Sequence, residues 1–221
     1  MPGLKNLFAG KAIEVIRILL VDYPEELNLR DICTKAGVSI RWASVVANAL
    51  VHEGVALRES ARSKLRIMAP LDLLKRWAAV NNFAANTKFI DYYSAEEDIT
   101  KFFGKFKGKQ GPEYAFSALA GGLLVAPYVR PTNVHLYVNS EEDAKKWAEL
   151  LGLLSVEKNG NVKFAIPKSH DVFYGAREIE GVKVVSDIQL YVDLLNYPAR
   201  GEEAAEAVLK AIEKRWKNTK G

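Results

Sequence analysis

The 221-residue chain contains one cysteine, two methionines and two glutamines. A single thiol, Cys33, excludes an internal disulfide, and its place on the apolar side of an expected helix assigns it to the core rather than to nucleophilic chemistry. No apolar run reaches the roughly 18 residues of a membrane-spanning helix. The start, Met1-Pro2-Gly3-Leu4-Lys5, carries no apolar signal segment, so the expectation is a cytoplasmic protein without a membrane partner. Polycationic tails are missing too. Metal ligands are sparse: His52, His135 and His170 lie far apart, and without a second cysteine or a His-x-x-x-His pair there is no ligand spacing, so no metal and no cofactor is expected. Scarce Gln and Met beside many Lys and Glu leans towards thermophile composition, against which plentiful asparagine weighs.

What remains is ordinary globular composition, 49% hydrophobic and 26% charged, in a chain long enough for two modest domains. A net charge of +4 and a pI near 9.0 point only weakly to an anionic partner, so the location of the charge must decide.

The densest local signal runs from Leu29 to Met68. Leu29, Ile32, Cys33 and Ala36 share one helical face at i, i+3, i+4, i+7 spacing. Gly37-Val38-Ser39 then ends one helix and caps the next within three residues. The second helix, Ser39 to about Glu53, has an inner side of Ala43, Val46, Ala47 and Leu50. Its outer side carries Arg41, Trp42, Ser44, Asn48 and His52. After Gly54, the runs Val55–Arg58 and Lys64–Ile67 flank Glu59–Ser63 as a basic β-hairpin. Helix, three-residue turn, helix and charged hairpin is the order of a winged helix-turn-helix. Ahead of it, Phe8 to Tyr23 reads as an amphipathic first helix closed by Pro24.

Such a unit places the start of its second helix in the major groove. The expected DNA-binding residues are Ser39, Arg41, Trp42, Ser44 and Asn48 on the helix and Arg58, Arg62, Lys64 and Arg66 on the wing. Arg41 is the leading base reader, because a guanidinium reaches guanine O6 and N7 together. The wing cations, opposed by Glu59 alone, suit phosphates or the minor groove. Winged helices also serve as protein-binding modules, and Trp42 fits either core or reader; both alternatives stand at this point.

Residues 1–70 form the expected DNA-binding domain, 71–110 a helical connector and 111–221 an α+β domain. The connector includes a helix from Leu71 to about Phe83, a β-prone stretch Lys88–Tyr93 and a helix carrying Lys101, Lys105, Lys107 and Lys109. That lysine row is either a nucleic-acid contact or a solvated face. Further on come a helix Pro112–Leu124, a strand Thr132–Val138, a helix Glu141–Leu151 capped by Ser140, and a hairpin Leu153–Ile166 turning at Asn159-Gly160. Strands near Val172–Tyr174 and Val182–Val185 follow, then helices Ser186–Asn196 and Gly201–Lys217.

The segments Val184–Leu195 and Pro198–Ala204, with the helix Tyr114–Leu123 and the strand ending Leu136-Tyr137-Val138, resemble the AbiEi-type antitoxins. Those proteins join an N-terminal winged helix to an α/β domain. They act as autorepressors of a two-gene abortive-infection operon whose other product is a nucleotidyltransferase-like toxin. The resemblance implies a transcription regulator that binds double-stranded DNA, with a toxin as protein partner. A stand-alone activator that recruits a basal transcription factor through its C-terminal domain is the alternative. A second copy of the chain is a further candidate partner, since paired half-sites raise the affinity of a single winged helix.

A degenerate nucleotidyltransferase-like fold is another reading of the same segment. Gly121-Gly122 precedes the Asn133–Tyr137 strand at suggestive spacing, but Asn133, His135 and Tyr137 stand where two Mg²⁺-binding carboxylates would be required. No enzyme and no catalytic residue is therefore expected. Ser169-His170-Asp171 has triad residue types, yet neighbours in extended chain point alternately to opposite sides. Arg200, Glu202 and Glu203 read as a helix start with carboxylates at its positive end. On the last helix, Ala204, Ala205, Val208, Leu209, Ile212 and Trp216 form one apolar face, to be covered either by the domain itself or by an assembly partner.

Overall fold

A computed structural model of the chain describes residues 7–60 and 62–219. Met1–Asn6, on which the missing signal segment was read, and Ala61 in the hairpin turn lie outside the described residues. The fold is mixed α+β and divides into two compact units, residues 1–81 with 212–221, and residues 82–211. The 71–110 stretch, expected as a connector, is thereby split between them.

In the first unit, α1 (Lys11–Val21) buries Ala12, Val15, Ile16, Leu19 and Leu20. The next helix, α2 (Leu29–Ala36), starts on a reciprocal cap. The Asn28 side chain accepts from the Arg30 and Asp31 amides, and the Asp31 carboxylate accepts from the Asn28 amide. It stops at Gly37, whose φ of 59° is left-handed and suits a residue without Cβ. Ser39 Oγ accepts from the Trp42 amide at 3.2 Å and so opens α3 (Ile40–His52). Ile32 and Ala36 of α2 and Ala43, Val46, Ala47 and Leu50 of α3 are buried, as their spacing predicts. Leu29 and Cys33, expected on the same face of α2, are only half-buried, with the Cys33 thiol donating to the Val38 carbonyl oxygen. The hairpin follows as β1 (Ala56–Leu57) antiparallel to β2 (Arg66–Ile67), and Leu65 adds a bridge to Leu27 ahead of α2. Then α4 (Pro70–Val80) begins with proline in its first turn and buries Leu73, Leu74 and Trp77.

The second unit runs β3 (Thr87–Tyr93), α5 (Ile99–Gly104), β4 (Tyr114–Ser117), α6 (Ala118–Val125), β5 (Val134–Val138), α7 (Glu141–Leu151), β6 (Leu154–Ser155), β7 (Val162–Pro167), β8 (Arg177–Ile179), β9 (Val182–Val184), α8 (Asp187–Leu195) and α9 (Gly201–Asn218). Residues of α9 from Ile212 onward belong with the first unit. The strands form one mixed seven-stranded sheet in the order β6-β3-β7-β5-β4-β9-β8. Neighbours are antiparallel except β5/β7 and β4/β9. Tyr92, Phe116, Leu136, Phe164 and Val184 pack in one core with Phe102, Phe103, Phe106 and Trp147. Phe106 lies 4.9 Å from Trp147 and 5.0 Å from Phe116 between ring centres.

Several expectations are corrected here. Tyr114–Ser117 is a fully buried strand between β5 and β9, not the start of a helix; pairing with distant segments overrides local helical spacing. Leu154–Ser155 and Val162–Pro167 do not pair with each other, because β3 lies between them. The Asn159-Gly160 turn instead crosses β3, and a Cβ on Gly160 would sit 2.3 Å from the Tyr92 carbonyl oxygen. Val172–Tyr174 is not a strand: His170–Phe173 forms one 3₁₀ turn. The lysine-bearing helix ends at Gly104, so Lys101 alone of the row sits within it and Lys105 is its cap. On the last helix the expected apolar face agrees with the structure: Ala204, Ala205, Val208, Ile212 and Trp216 are buried and Leu209 is half-buried.

Candidate nucleic-acid interface

The modest net charge conceals a strong division. The first unit holds 16 Lys and Arg against 9 Asp and Glu, a net +7, whereas the second holds 15 against 18, a net −3, which together give the chain's +4. An anionic partner is therefore drawn to the first unit.

On α3 the residues 41, 44, 48 and 52 recur every three or four positions and make one outward stripe: Arg41, Asn48 and His52 are exposed and Ser44 half-buried. Ser39 is exposed, with its hydroxyl occupied by the cap. Trp42 turns inward; its ring is half-buried and its indole nitrogen is enclosed without a partner among the described residues. Its contribution is thus an apolar wall rather than a hydrogen-bond donor. In the hairpin, Arg58 folds back onto α3, donating from Nη2 to Asn48 Oδ1 at 2.7 Å. Arg66 donates to Glu26 Oε1 at 2.5 Å. Arg62 and Lys64 are exposed, and among the described residues neither has an ion-pair partner. The nine expected residues thus occupy one helix and one hairpin. Glu26, which the sequence alone did not single out, pairs with one of the four hairpin cations, Arg66. Its signal lay in the Glu26-Leu27-Asn28 run, where the bridge to Leu65 places an acid beside the hairpin.

The second unit shows why its glycines are glycines. Gly121 and Gly122 are buried in α6; a Cβ on Gly121 would come 3.0 Å from Leu190 Cδ1 and from the Phe116 carbonyl oxygen, and one on Gly122 3.5 Å from Leu194. They permit close packing of α6 against β4 and α8. On β5, His135 and Tyr137 are buried. Tyr137 donates to Asp193 Oδ2 at 3.0 Å, Ser117 to the same oxygen at 2.7 Å, and Gln189 to Oδ1 at 2.8 Å. Cross-strand register extends this into a polar row, Asp91, Lys163, His135 and Ser117, with Lys163 bonded to Asp91 at 2.6 Å. His135 lies against Phe83, Phe89 and Tyr197, and burial, reinforced by Lys163 and opposed by Asp91, lowers it to about 4. Its Nδ1 has no partner among the described residues. No group of three or more His, Cys, Asp or Glu able to hold a metal occurs among the described residues, and no helix there is long and apolar enough to cross a membrane.

The family model described as transcriptional regulator, AbiEi antitoxin, of type IV toxin–antitoxin systems matches residues 66–213. The chain belongs to the AbiEi antitoxin family. The AbiEi match runs from β2 through the whole second unit and into α9, so it covers the segments on which the resemblance was first read. It leaves α1, α2 and α3 to be judged on their own geometry. Comparison with curated proteins and with solved structures gave no match.

Proposed function

We propose that this AbiEi-family protein is a DNA-binding autorepressor and antitoxin whose first unit is a winged helix-turn-helix. Its α3 enters the major groove, and the β1–β2 hairpin is the wing against the flanking phosphates. The observation that carries this reading is the coincidence of three features on one unit: the outward stripe Arg41, Ser44, Asn48, the unpaired wing cations Arg62 and Lys64, and a net +7 beside a net −3 in the rest of the chain. The second unit keeps the nucleotidyltransferase order of a Gly-Gly helix followed by a strand, but β5 lacks the carboxylate pair and α8 packs over the glycines, so it transfers no nucleotide. Its protein partner is the toxin encoded beside it.

Footprinting the full chain on the promoter of its own gene tests this directly. Protection over the promoter, with reduced transcription from it, is the expected result; no protection at any promoter region would refute the reading. Incubation with Mg²⁺, labelled nucleoside triphosphates and tRNA or protein acceptors should give no product.

A further inference from the structure

We propose that Arg58 is a positioning residue that locks the Asn48 side chain with its amide hydrogens outward, making Asn48 a reader of guanine rather than of adenine. This rests on the DNA-binding reading above and adds to it a base preference at one position. Asn48 is exposed and lies two turns beyond Arg41 on the same stripe of α3, about 10 Å further along the helix axis at 1.5 Å per residue. Its Oδ1 accepts from Arg58 Nη2 at 2.7 Å. A guanidinium carries donors only, so the amide cannot rotate by a half-turn without setting N–H against N–H. The oxygen therefore faces Arg58, and Nδ2, with no partner among the described residues, keeps both hydrogens for a ligand.

That orientation matters because an asparagine pairs with adenine in bidentate fashion only when its oxygen accepts from N6 while its nitrogen donates to N7. Here a cation occupies the oxygen. What is left is a donor group beside a positive charge, which suits the N7 and O6 acceptors of guanine and repels the N4 amine of cytosine. The wing arginine itself is half-buried, and its Nη1 is enclosed without a partner among the described residues, so it is placed to hold Asn48 and not extended towards a phosphate.

Selection of binding sites from a randomised duplex pool by the full-length protein tests the proposal, with Asn48→Ala, Asn48→Asp and Arg58→Ala in parallel and a thermal melt of each. The wild type should select guanine at one position that becomes degenerate in Asn48→Ala. Arg58→Ala should lose about tenfold of that preference, admitting adenine at the same position and leaving the position read by Arg41 unchanged. Asn48→Asp, whose carboxylate pairs with Arg58 and offers only lone pairs, should turn the preference to cytosine, and this variant decides the matter should Arg58→Ala fail to fold. Arg58→Ala that weakens all sequences equally with guanine retained, or adenine selected by the wild type, overturns the proposal. A wild type that enriches no sequence overturns the underlying DNA-binding reading as well, and that outcome is distinct because it precedes any variant.

Discussion

His135 and Glu26 each carry a measurable consequence. His135 ordinarily titrates near 6.5 but is lowered to about 4, first by burial and then by Lys163. Above pH 6.5 the folded and unfolded chains are both neutral there and stability is full. Between 6.5 and 4 only the unfolded chain takes up the proton, so stability falls with pH, by about 3 kcal/mol at the lower limit. Thermal melts from pH 7.5 to 4.5 should show this acid decline, and His135→Phe should flatten it; parallel declines would place the effect elsewhere. Glu26, in turn, pairs with Arg66 at 2.5 Å, which leaves that cation partly neutralised. Glu26→Gln should raise affinity for duplex DNA several-fold and steepen its salt dependence by close to one counterion. An unchanged slope in a titration series over salt would show that Arg66 never meets a phosphate.

Elements differ in how far the sequence declares them. The α2–turn–α3 unit was legible because its signals are local: the Gly37 stop, the Ser39 cap and the buried stripe of α3 act within a few residues. The strand β4 was not, since Tyr114–Ser117 is adjacent to an Ala- and Gly-rich helix and only β5 and β9, from distant parts of the chain, make it a strand. Of the β8–β9 hairpin, β9 matches the expected strand Val182–Val185, but β8 was missed because the turn is Glu180-Gly181, with φ of 52° and 83°, and glutamate is a weak marker of that conformation. The outward stripe of α3 was readable from periodicity, whereas the Arg58–Asn48 bond and the Glu26–Arg66 pair needed the hairpin folded in place. For α8 the decisive group is Asp193, which accepts from Ser117, Tyr137 and Gln189. Asp193→Ala removes an acceptor shared by three buried side chains and should cost more than Ser117→Ala, for which about 1 kcal/mol is expected, read as urea midpoints at unchanged slope. Equal small losses would mean that water replaces the carboxylate.

Considered whole, the molecule divides its charge between a basic first unit and an acidic second one. The first unit is not a continuous stretch of chain, because Ile212 and Trp216 return to it; Trp216 is buried, with its ring edge-on to Tyr23 at 5.1 Å. Trp216→Ala should therefore cost the first unit about 3–5 kcal/mol. A fragment ending near Pro70 would lack this packing, so the intact chain is the proper material for binding work. The most direct measurement is the affinity of the full-length protein for duplex DNA across a range of salt, with and without the paired change Arg62→Ala and Lys64→Ala. Loss of affinity for every sequence, with the logarithmic salt slope reduced by close to two, is the expected result if the hairpin is a wing on phosphates. The same affinity and the same slope in the double variant would contradict it.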